Sequence, residues 1–429
     1  MKHNILLLIF SFTILGSCTS EKQPDPAKVV LKKNEQNEYR LFVNGNEFYV
    51  NGAGLEFGNI KSLADHGGNS FRTWRTENGK RDAIEILDEA HEHGLMVLMG
   101  LDIGRERHGY SYDDTAFIQK QFSYIKGEVE RLKHHPALLG WAIGNELNLG
   151  QNDLRIFDEV NRISQMIHEV DPNHVTTTTL AGIGKRESEY IKENCTDIDF
   201  ISIQMYGDIV NLQKRITDAG WTEPYMVTEW GATGHWEVDR TDWDVAIEQS
   251  SKEKAIDFAH RYQAAIKSDR EKCIGSYVFL WAQKQERTPT WYGMFLENGA
   301  KTETIDAMCK IWTGQWPTDR CPAVDSFHIN GLTAHENIKV KKESVLNAEV
   351  FYTNHDNDSL TFTWEIMYES YDRQWGGDAE NRPKTIFHQE MESKVAINAP
   401  DTGAYRLFVY VSDVNGNAGT ANIPFLVKE

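Results

Sequence analysis

Two glutamates hold the chemical interest of this chain. Glu146 ends the apolar run Leu138-Leu139-Gly140-Trp141-Ala142-Ile143-Gly144, with Asn145 directly before it, and Glu229 follows Pro224-Tyr225-Met226-Val227-Thr228. Each carboxylate stands where a segment suited to a strand buried on both faces comes to its end. Two carboxyl groups converging on one opening can divide labour. One, kept protonated by burial and by its neighbour's charge, donates a proton; the other, held ionised by hydrogen bonds or an arginine, attacks carbon. Cleavage of a glycosidic bond requires that division, one carboxyl for the leaving oxygen and one for the anomeric carbon. At a separation of about 5–5.5 Å the second group acts as nucleophile and configuration is retained; a wider gap admits water and inverts.

The elements that must position these groups are legible as alternating patterns. Short apolar runs occur at 48–56, 70–75, 95–103, 138–146, 175–182, 199–207, 224–230 and 274–283, each of the length of a buried strand. Amphipathic stretches lie between them: Ile118, Phe122, Ile125, Val129 and Leu132 step by helical spacing, as do Ala83, Leu87 and Ala90. Eight β-then-α units predict a (β/α)₈ TIM barrel over residues 38–313. A doubly wound open sheet would show a glycine-rich phosphate turn after the first strand, and "NGAGLEFGN" lacks the required spacing. From residue 326 to 429 the pattern alternates with period two between turn-rich breaks, which predicts a C-terminal Ig-like β-sandwich after a linker at 314–325. Trp364 and Tyr405 are its expected core and corner residues.

In a barrel, functional side chains gather at the C-terminal strand ends. Read there, the candidates are Glu56, Arg72, Arg75, Asp102, Asn145, Glu146, Gln204, Tyr206, Glu229 and Trp281. Trp74, Trp230, His235 and Trp236 either line the same cleft or pack within their own loop. Arg72 and Tyr206 are suitable donors to a carboxylate. His91, His93, His134 and His135 have no partner at metal-ligand spacing, so neither a metal nor an organic cofactor is expected.

The segments "GNE" (144–146) and "TEWG" (228–231) resemble the retaining β-glycosidases with (β/α)₈ barrels, the clan of β-galactosidases, β-glucuronidases and cellulases. Within that clan the chain most resembles the catalytic barrel of glycoside hydrolase family two, through "FYVNGAGLE", "NSFRTWR" and "LDEAHEHGLMVL", over about residues 40–313. The resemblance implies Glu146 as acid/base and Glu229 as nucleophile. It also implies Asn145 on the sugar 2-hydroxyl, Arg72 and Tyr206 orienting the nucleophile, and Trp281 as the sugar platform; Glu56, Asp102 and Trp230 complete the expected substrate contacts. A hairpin around 38–50 stands where that family usually has jelly-roll and Ig-like domains. Strand three ends in "GLDIGRERHG", and strand six carries Gln204 where Asn is more usual. A β-glucan transglycosylase with the same motifs and a non-catalytic glycan-binding surface lipoprotein are the competing readings.

Lys2 and His3 precede an apolar run from Ile5 to Leu15, and Leu15-Gly16-Ser17-Cys18 resembles a bacterial lipoprotein box. Residues 1–18 are thus expected to be a signal peptide with Cys18 lipidated, and 19–37 a polar tether, placing the body at a bacterial cell envelope. The 64 acidic and 45 basic residues give a formal charge of −19, which disfavours nucleic acid as a partner. Cys195, Cys273, Cys309 and Cys321 show no metal-type spacing; a Cys309–Cys321 disulfide and two buried thiols are both open.

Overall fold

Segments buried on both faces must be covered on both, and here they close on themselves. The computed structural model describes residues 25–429; the expected signal peptide and Cys18 lie outside the described residues. Three short antiparallel strands come first: β1 (Val29–Lys33), β2 (Tyr39–Val43) and β3 (Asn46–Phe48). The barrel follows, with β4 (Val50–Gly54), α1 (Ile60–Asp65), β5 (Ser70–Arg72), α2 (Ala83–Glu92), β6 (Met96–Leu101), α3 (Thr115–Leu132), β7 (Leu138–Ile143) and α4 (Arg155–Val170). Its second half is β8 (Val175–Ala181), α5 (Lys185–Asn194), β9 (Phe200–Gln204), α6 (Leu212–Asp218), β10 (Tyr225–Gly231), α7 (Ser251–Arg261), β11 (Cys273–Phe279) and, after a two-residue strand β12 (Lys301–Thr302), α8 (Glu303–Thr313). Strands β4 to β11 form one closed parallel barrel in sequence order, β11 pairing with β4. The (β/α)₈ expectation is met strand for strand.

Local chemistry explains the helix boundaries. Asp82 and Asp114 cap α2 and α3 by accepting from the first-turn N–H groups, and Ser250 with Glu253 forms a capping box on α7. Helix α8 stops at Gly314, whose φ of 78° belongs to the left-handed region. The apolar stripe of α3 turns Ile125, Val129 and Leu132 onto the barrel wall. Among the described residues no helix is long and apolar enough to cross a membrane.

The β1–β3 unit covers the end of the barrel at which the strands begin. Val29 and Leu41 join Leu98, Leu139, Val175, Phe200 and Met226 in one buried cluster, and the Val29 N–H donates to the Asn173 carbonyl at 2.7 Å. Strand β1 falls inside the stretch expected to be a tether (19–37). Val29 and Leu31 face inward while Val30 between them is exposed, and the pair finds apolar surface on the barrel floor that the local composition did not announce.

The C-terminal unit is a β-sandwich. One sheet holds β13 (Ala323–Ile329), β15 (Val345–Thr353) and β18 (Lys394–Asn398); the other runs β12, β20 (Asn417–Lys428), β19 (Gly403–Ser412), β16 (Thr361–Tyr368), β17 (Thr385–Met391), with β14 (Lys339–Lys341) beside β20. Trp364 and Tyr405 lie fully buried in the core between the sheets. The linker is shorter than expected, because β13 begins at Ala323. Cys309 and Cys321 are separate buried thiols, as are Cys195 and Cys273.

Barrel and sandwich share structure. Strand β12 belongs to the barrel's last loop yet pairs in parallel with β20. Beside it, the buried Glu248 accepts from Lys254 Nζ (2.6 Å), Thr288 (2.5 Å), Thr290 (2.8 Å) and, from β20, Asn422 Nδ2 (2.7 Å). Burial opposes its charge, but the Lys254 and Arg406 charges and these donors hold its pKa below the ordinary carboxylate value. Removing one partner of a buried pair strands the other charge, at a cost of about 3–5 kcal/mol. Lys254→Met is therefore expected to lower stability by about 3 kcal/mol in urea unfolding followed by tryptophan fluorescence; a loss within about 0.5 kcal/mol, the range of an ordinary surface substitution, would contradict this account.

Candidate active site

Arg72, the last residue of β5, is fully buried at the bottom of the barrel mouth. Its Nη2 donates to Asn145 Oδ1 at 2.8 Å, and its Nη1 faces Glu229 Oε1 at 3.4 Å and the Thr228 carbonyl at 3.3 Å. Burial lowers its pKa, while the nearby Glu229 and Glu146 charges act in the opposite sense. A buried guanidinium demands acceptors, and two strands, β7 at its exit and β10, supply them.

Glu229 lies within β10 and is nearly buried. Beyond Arg72, Trp74 Nε1 donates to its Oε1 at 2.8 Å and the Tyr206 hydroxyl to its Oε2 at 3.0 Å. Both oxygens thus act as acceptors and the carboxyl is fixed in rotation. Burial, followed by the Glu229 and Glu146 charges, raises the Tyr206 pKa well above its ordinary value, so the phenol keeps its proton and remains a donor. The neighbouring residue Trp230 points the other way, as strand alternation requires. Its ring packs against Phe258 of α7 and Tyr262, so the expected substrate contact at Trp230 is not made.

Glu146 is positioned by a sharp exit from β7. Gly144 takes φ 76°, and Glu146 itself takes φ 50°, a left-handed conformation that costs a side-chain-bearing residue free energy. Thr179 at the end of β8 holds the turn: its hydroxyl donates to the Gly144 carbonyl at 3.0 Å and accepts from the Glu146 N–H at 3.2 Å. Asn145 Oδ1 takes Gln204 Nε2 at 2.8 Å as well as Arg72. With its oxygen so occupied, the Asn145 amide nitrogen is the donor left for a ligand. The Glu146 carboxyl has a different environment from that of Glu229. Burial first, and then the Glu229 charge, raises its pKa to about 8 against the weaker pull of Arg107, Arg72 and Arg105.

Both carboxylates open into one cavity of about 1060 Å³ at the C-terminal mouth of the barrel. Glu56, Asp102, Asn145 and Tyr206 line it too, Glu56 paired with Arg75 (2.8 Å) and Asp102 with Arg105 (3.5 Å). Trp74, His235 and Trp236 also face the cavity rather than packing wholly within a loop. Burial and then the Arg287 charge lower the His235 pKa to about 4, so the ring is neutral near pH 7.

Trp281 corrects the sequence reading. The chain leaves the barrel wall at Phe279, the Trp281 N–H returns to the Gly54 carbonyl at 3.0 Å, and the ring stacks on Trp312 of α8 with centroids 5.8 Å apart. It is fully buried behind the wall. Phe279, two residues earlier, lines the cavity, edge-on to Trp74 (5.8 Å) and Tyr206 (6.0 Å). The apolar run continues past it to Trp281, the last aromatic of the run, so nothing local in the sequence singled it out. Lys284, Arg287 and the sandwich segment 374–380 also line the cavity and were not anticipated. The length of the segment between β16 and β17, with its Trp375-Gly376-Gly377, was the one sign available. Outside the cavity, Asp319, Asp358 and Asp413 lie close enough together to share a cation, and Asn415 and Asn417 donate to them.

Residues 64–250, which contain both glutamates, match the family model "Glycosyl hydrolases family 2, TIM barrel domain". A probable mannan endo-1,4-beta-mannosidase F of Aspergillus flavus is 26% identical over 212 residues, covering 39% of this chain and 46% of that protein. Among solved structures, Bacteroides uniformis beta-glucuronidase 2, covalently bound to cyclophellitol-6-carboxylate aziridine, superposes with a TM-score of 0.51 at 13% identity over 93% of this chain and 48% of its own. Bifidobacterium dentium beta-glucuronidase, complexed with coumarin-3-O-glucuronide, gives 0.50 at 18% identity, covering 67% and 49%. The chain thus spans about half the length of these relatives, and the structural likenesses are likenesses of fold. With the sequence match over its centre, the closed barrel of this chain is similar to the TIM-barrel domain of glycosyl hydrolases family 2.

Proposed function

We propose that the chain is a retaining β-glycoside hydrolase acting on β-linked oligo- or polysaccharides by double displacement. The observation that carries this reading is the contrast between two carboxyl groups in one cavity. Glu146 has a pKa raised to about 8 and keeps its proton near pH 7, whereas Glu229 accepts hydrogen bonds on both oxygens. Glu146 gives its proton to the glycosidic oxygen as Glu229 attacks the anomeric carbon, forming a glycosyl–Glu229 ester. Glu146, now ionised, takes a proton from water, which attacks the same carbon and releases Glu229. Asn145 Nδ2 holds a hydroxyl of the sugar at the cleavage point, and Arg72, Trp74 and Tyr206 keep the Glu229 carboxyl aimed. Transfer to a second sugar differs only in what attacks the ester. The relatives named for mannan and for glucuronides act on different sugars, so the glycone is a question for assay.

Glu229→Gln keeps the shape of the side chain and one acceptor oxygen but removes the nucleophile. Turnover of a panel of aryl β-glycosides and β-glycans should fall by at least about 10⁴-fold in a variant whose circular dichroism shows it folded at the assay temperature. Comparable activity in the variant would refute the assignment, and saccharide binding without product release by the wild type would favour a non-catalytic role.

The pH dependence has a definite sign. The acid must be protonated in the first step, so kcat/KM should fall as pH rises through about 8. In Glu146→Ala, assayed with a dinitrophenyl glycoside whose leaving group needs no proton, that alkaline limb should vanish and azide should accelerate turnover. An alkaline limb persisting in the variant would assign it to another group.

We further place the enzyme at a bacterial envelope, tethered through lipid on Cys18 after removal of the leader. Cells fed labelled palmitate should incorporate it into the wild-type chain and not into Cys18→Ala; equal labelling would rule the anchor out.

A further inference from the structure

The cavity is not built by the barrel alone. The connection between β16 and β17 leaves the sandwich and crosses to the barrel mouth, where residues 374–380 form part of the cavity wall. It is held there at several points. Arg287, from the loop after β11, donates its backbone N–H to Glu380 Oε2 at 2.5 Å and its guanidinium to the other oxygen of that carboxyl. Glu380 also accepts from the Gln374 N–H at 3.1 Å, which closes the segment on itself. Lys284 Nζ donates to the Gly377 carbonyl at 2.8 Å, and Arg107 Nη1 to the Trp375 carbonyl at 3.3 Å. Gly376, at φ 67°, lies so close to Arg107 that a Cβ there would come within 2.4 Å of its guanidinium.

These anchors hold the backbone around Trp375 and leave the residue 57% exposed. A large apolar side chain left exposed on an anchored backbone, in the wall of the cavity, is a surface that a bound ligand can cover. Its place in the cavity is defined by its neighbours. The ring edge packs on Gly150, and the guanidinium of Arg107 stands 5.9 Å from the ring centre. Gly150 lies just beyond Glu146 in the turn after β7, so Trp375 stands on the Glu146 side of the cavity. Phe279 and Tyr206 lie on the Glu229 side.

We propose that Trp375, presented by the C-terminal sandwich, is the stacking platform for the leaving part of the substrate, and that this part is a sugar of a β-linked chain rather than a small aglycone. The inference rests on the assignment of Glu146 as the acid. That group protonates the leaving oxygen, so whatever departs must lie beside it. A pyranose offers a flat face of C–H groups that an indole covers, and the backbone carrying the ring is already anchored, so less ordering is lost on binding. The sandwich thereby becomes a specificity element of the active site.

An aryl β-glycoside screen first fixes the glycone. The β-1,3- and β-1,4-linked tetraoses of that sugar are then compared with the aryl glycoside in wild type, Trp375→Ala and Trp375→Phe. The ratio of kcat/KM for the cleaved tetraose to that for the aryl glycoside should fall about tenfold or more in Trp375→Ala, chiefly through KM, and stay within about threefold in Trp375→Phe. An unchanged ratio in Trp375→Ala would overturn the inference while leaving the proposed reaction intact. So would a wild type that cleaves the aryl glycoside but neither tetraose. A wild type inactive on every glycoside would remove the reaction, and this inference with it.

Discussion

The site depends on one buried cation. Arg72 has lost its water on the barrel axis, and a guanidinium in that position is tolerable only with acceptors around it. Glu229 from β10 and Asn145 from the end of β7 provide them, so a single side chain ties together three strands that are remote in sequence. The same contacts set the rotamer of the carboxylate and occupy the oxygen of the amide. Stability and alignment are therefore one arrangement: a change that frees Glu229 to move also strands the Arg72 charge. Trp74 reinforces this, its ring lying over Arg72 while its N–H reaches Glu229.

That constraint also separates the two carboxyl groups electrically. Donors from Arg72, Trp74 and Tyr206 converge on Glu229, which leaves Glu146 facing the cavity with burial and a neighbouring negative charge as its main influences. The two residues have the same side chain; their different behaviour comes from which of them the donors reach. Glu146 is held in its place by backbone means, through a left-handed turn secured by the Thr179 hydroxyl, so its side chain needs no anchoring partner. This leaves the carboxyl available to exchange a proton.

Much of this was legible in the sequence because barrel strands are buried on both faces and read as unbroken apolar runs with a polar tip. Arg72, Asn145, Glu146, Tyr206 and Glu229 were all found by asking which side chain ends such a run, and the structure brings them together. Trp281 was misplaced for a related reason. The last run continues apolar past the point where the strand stops, so composition alone did not show that Phe279 was its final inward residue. Strand β1 was missed because five residues with two lysines carry little signal until the barrel floor offers Val29 and Leu31 a surface. The segment 374–380 was illegible for a deeper reason: its partners, Arg107, Lys284 and Arg287, lie in barrel loops that no local pattern connects to it.

The same long-range contacts explain why the sandwich has to be fused rigidly to the barrel. A wall segment carried by a second unit keeps its place only if the units do not slide, and two features oppose sliding. Strand β12 extends the sandwich sheet with residues from the barrel's last loop. Arg406 on β19 donates to the Ala246 carbonyl of the barrel at 2.8 Å and to Glu369, which immediately precedes the wall segment's stem. Asn422 accepts from that same Arg406 (2.6 Å) and donates to Glu248 on the barrel side. The polar network at the interface is thus continuous from the barrel to the root of the connection that bears Trp375. Interdomain packing, which in a spacer module would be incidental, here determines where an exposed indole stands relative to Glu146.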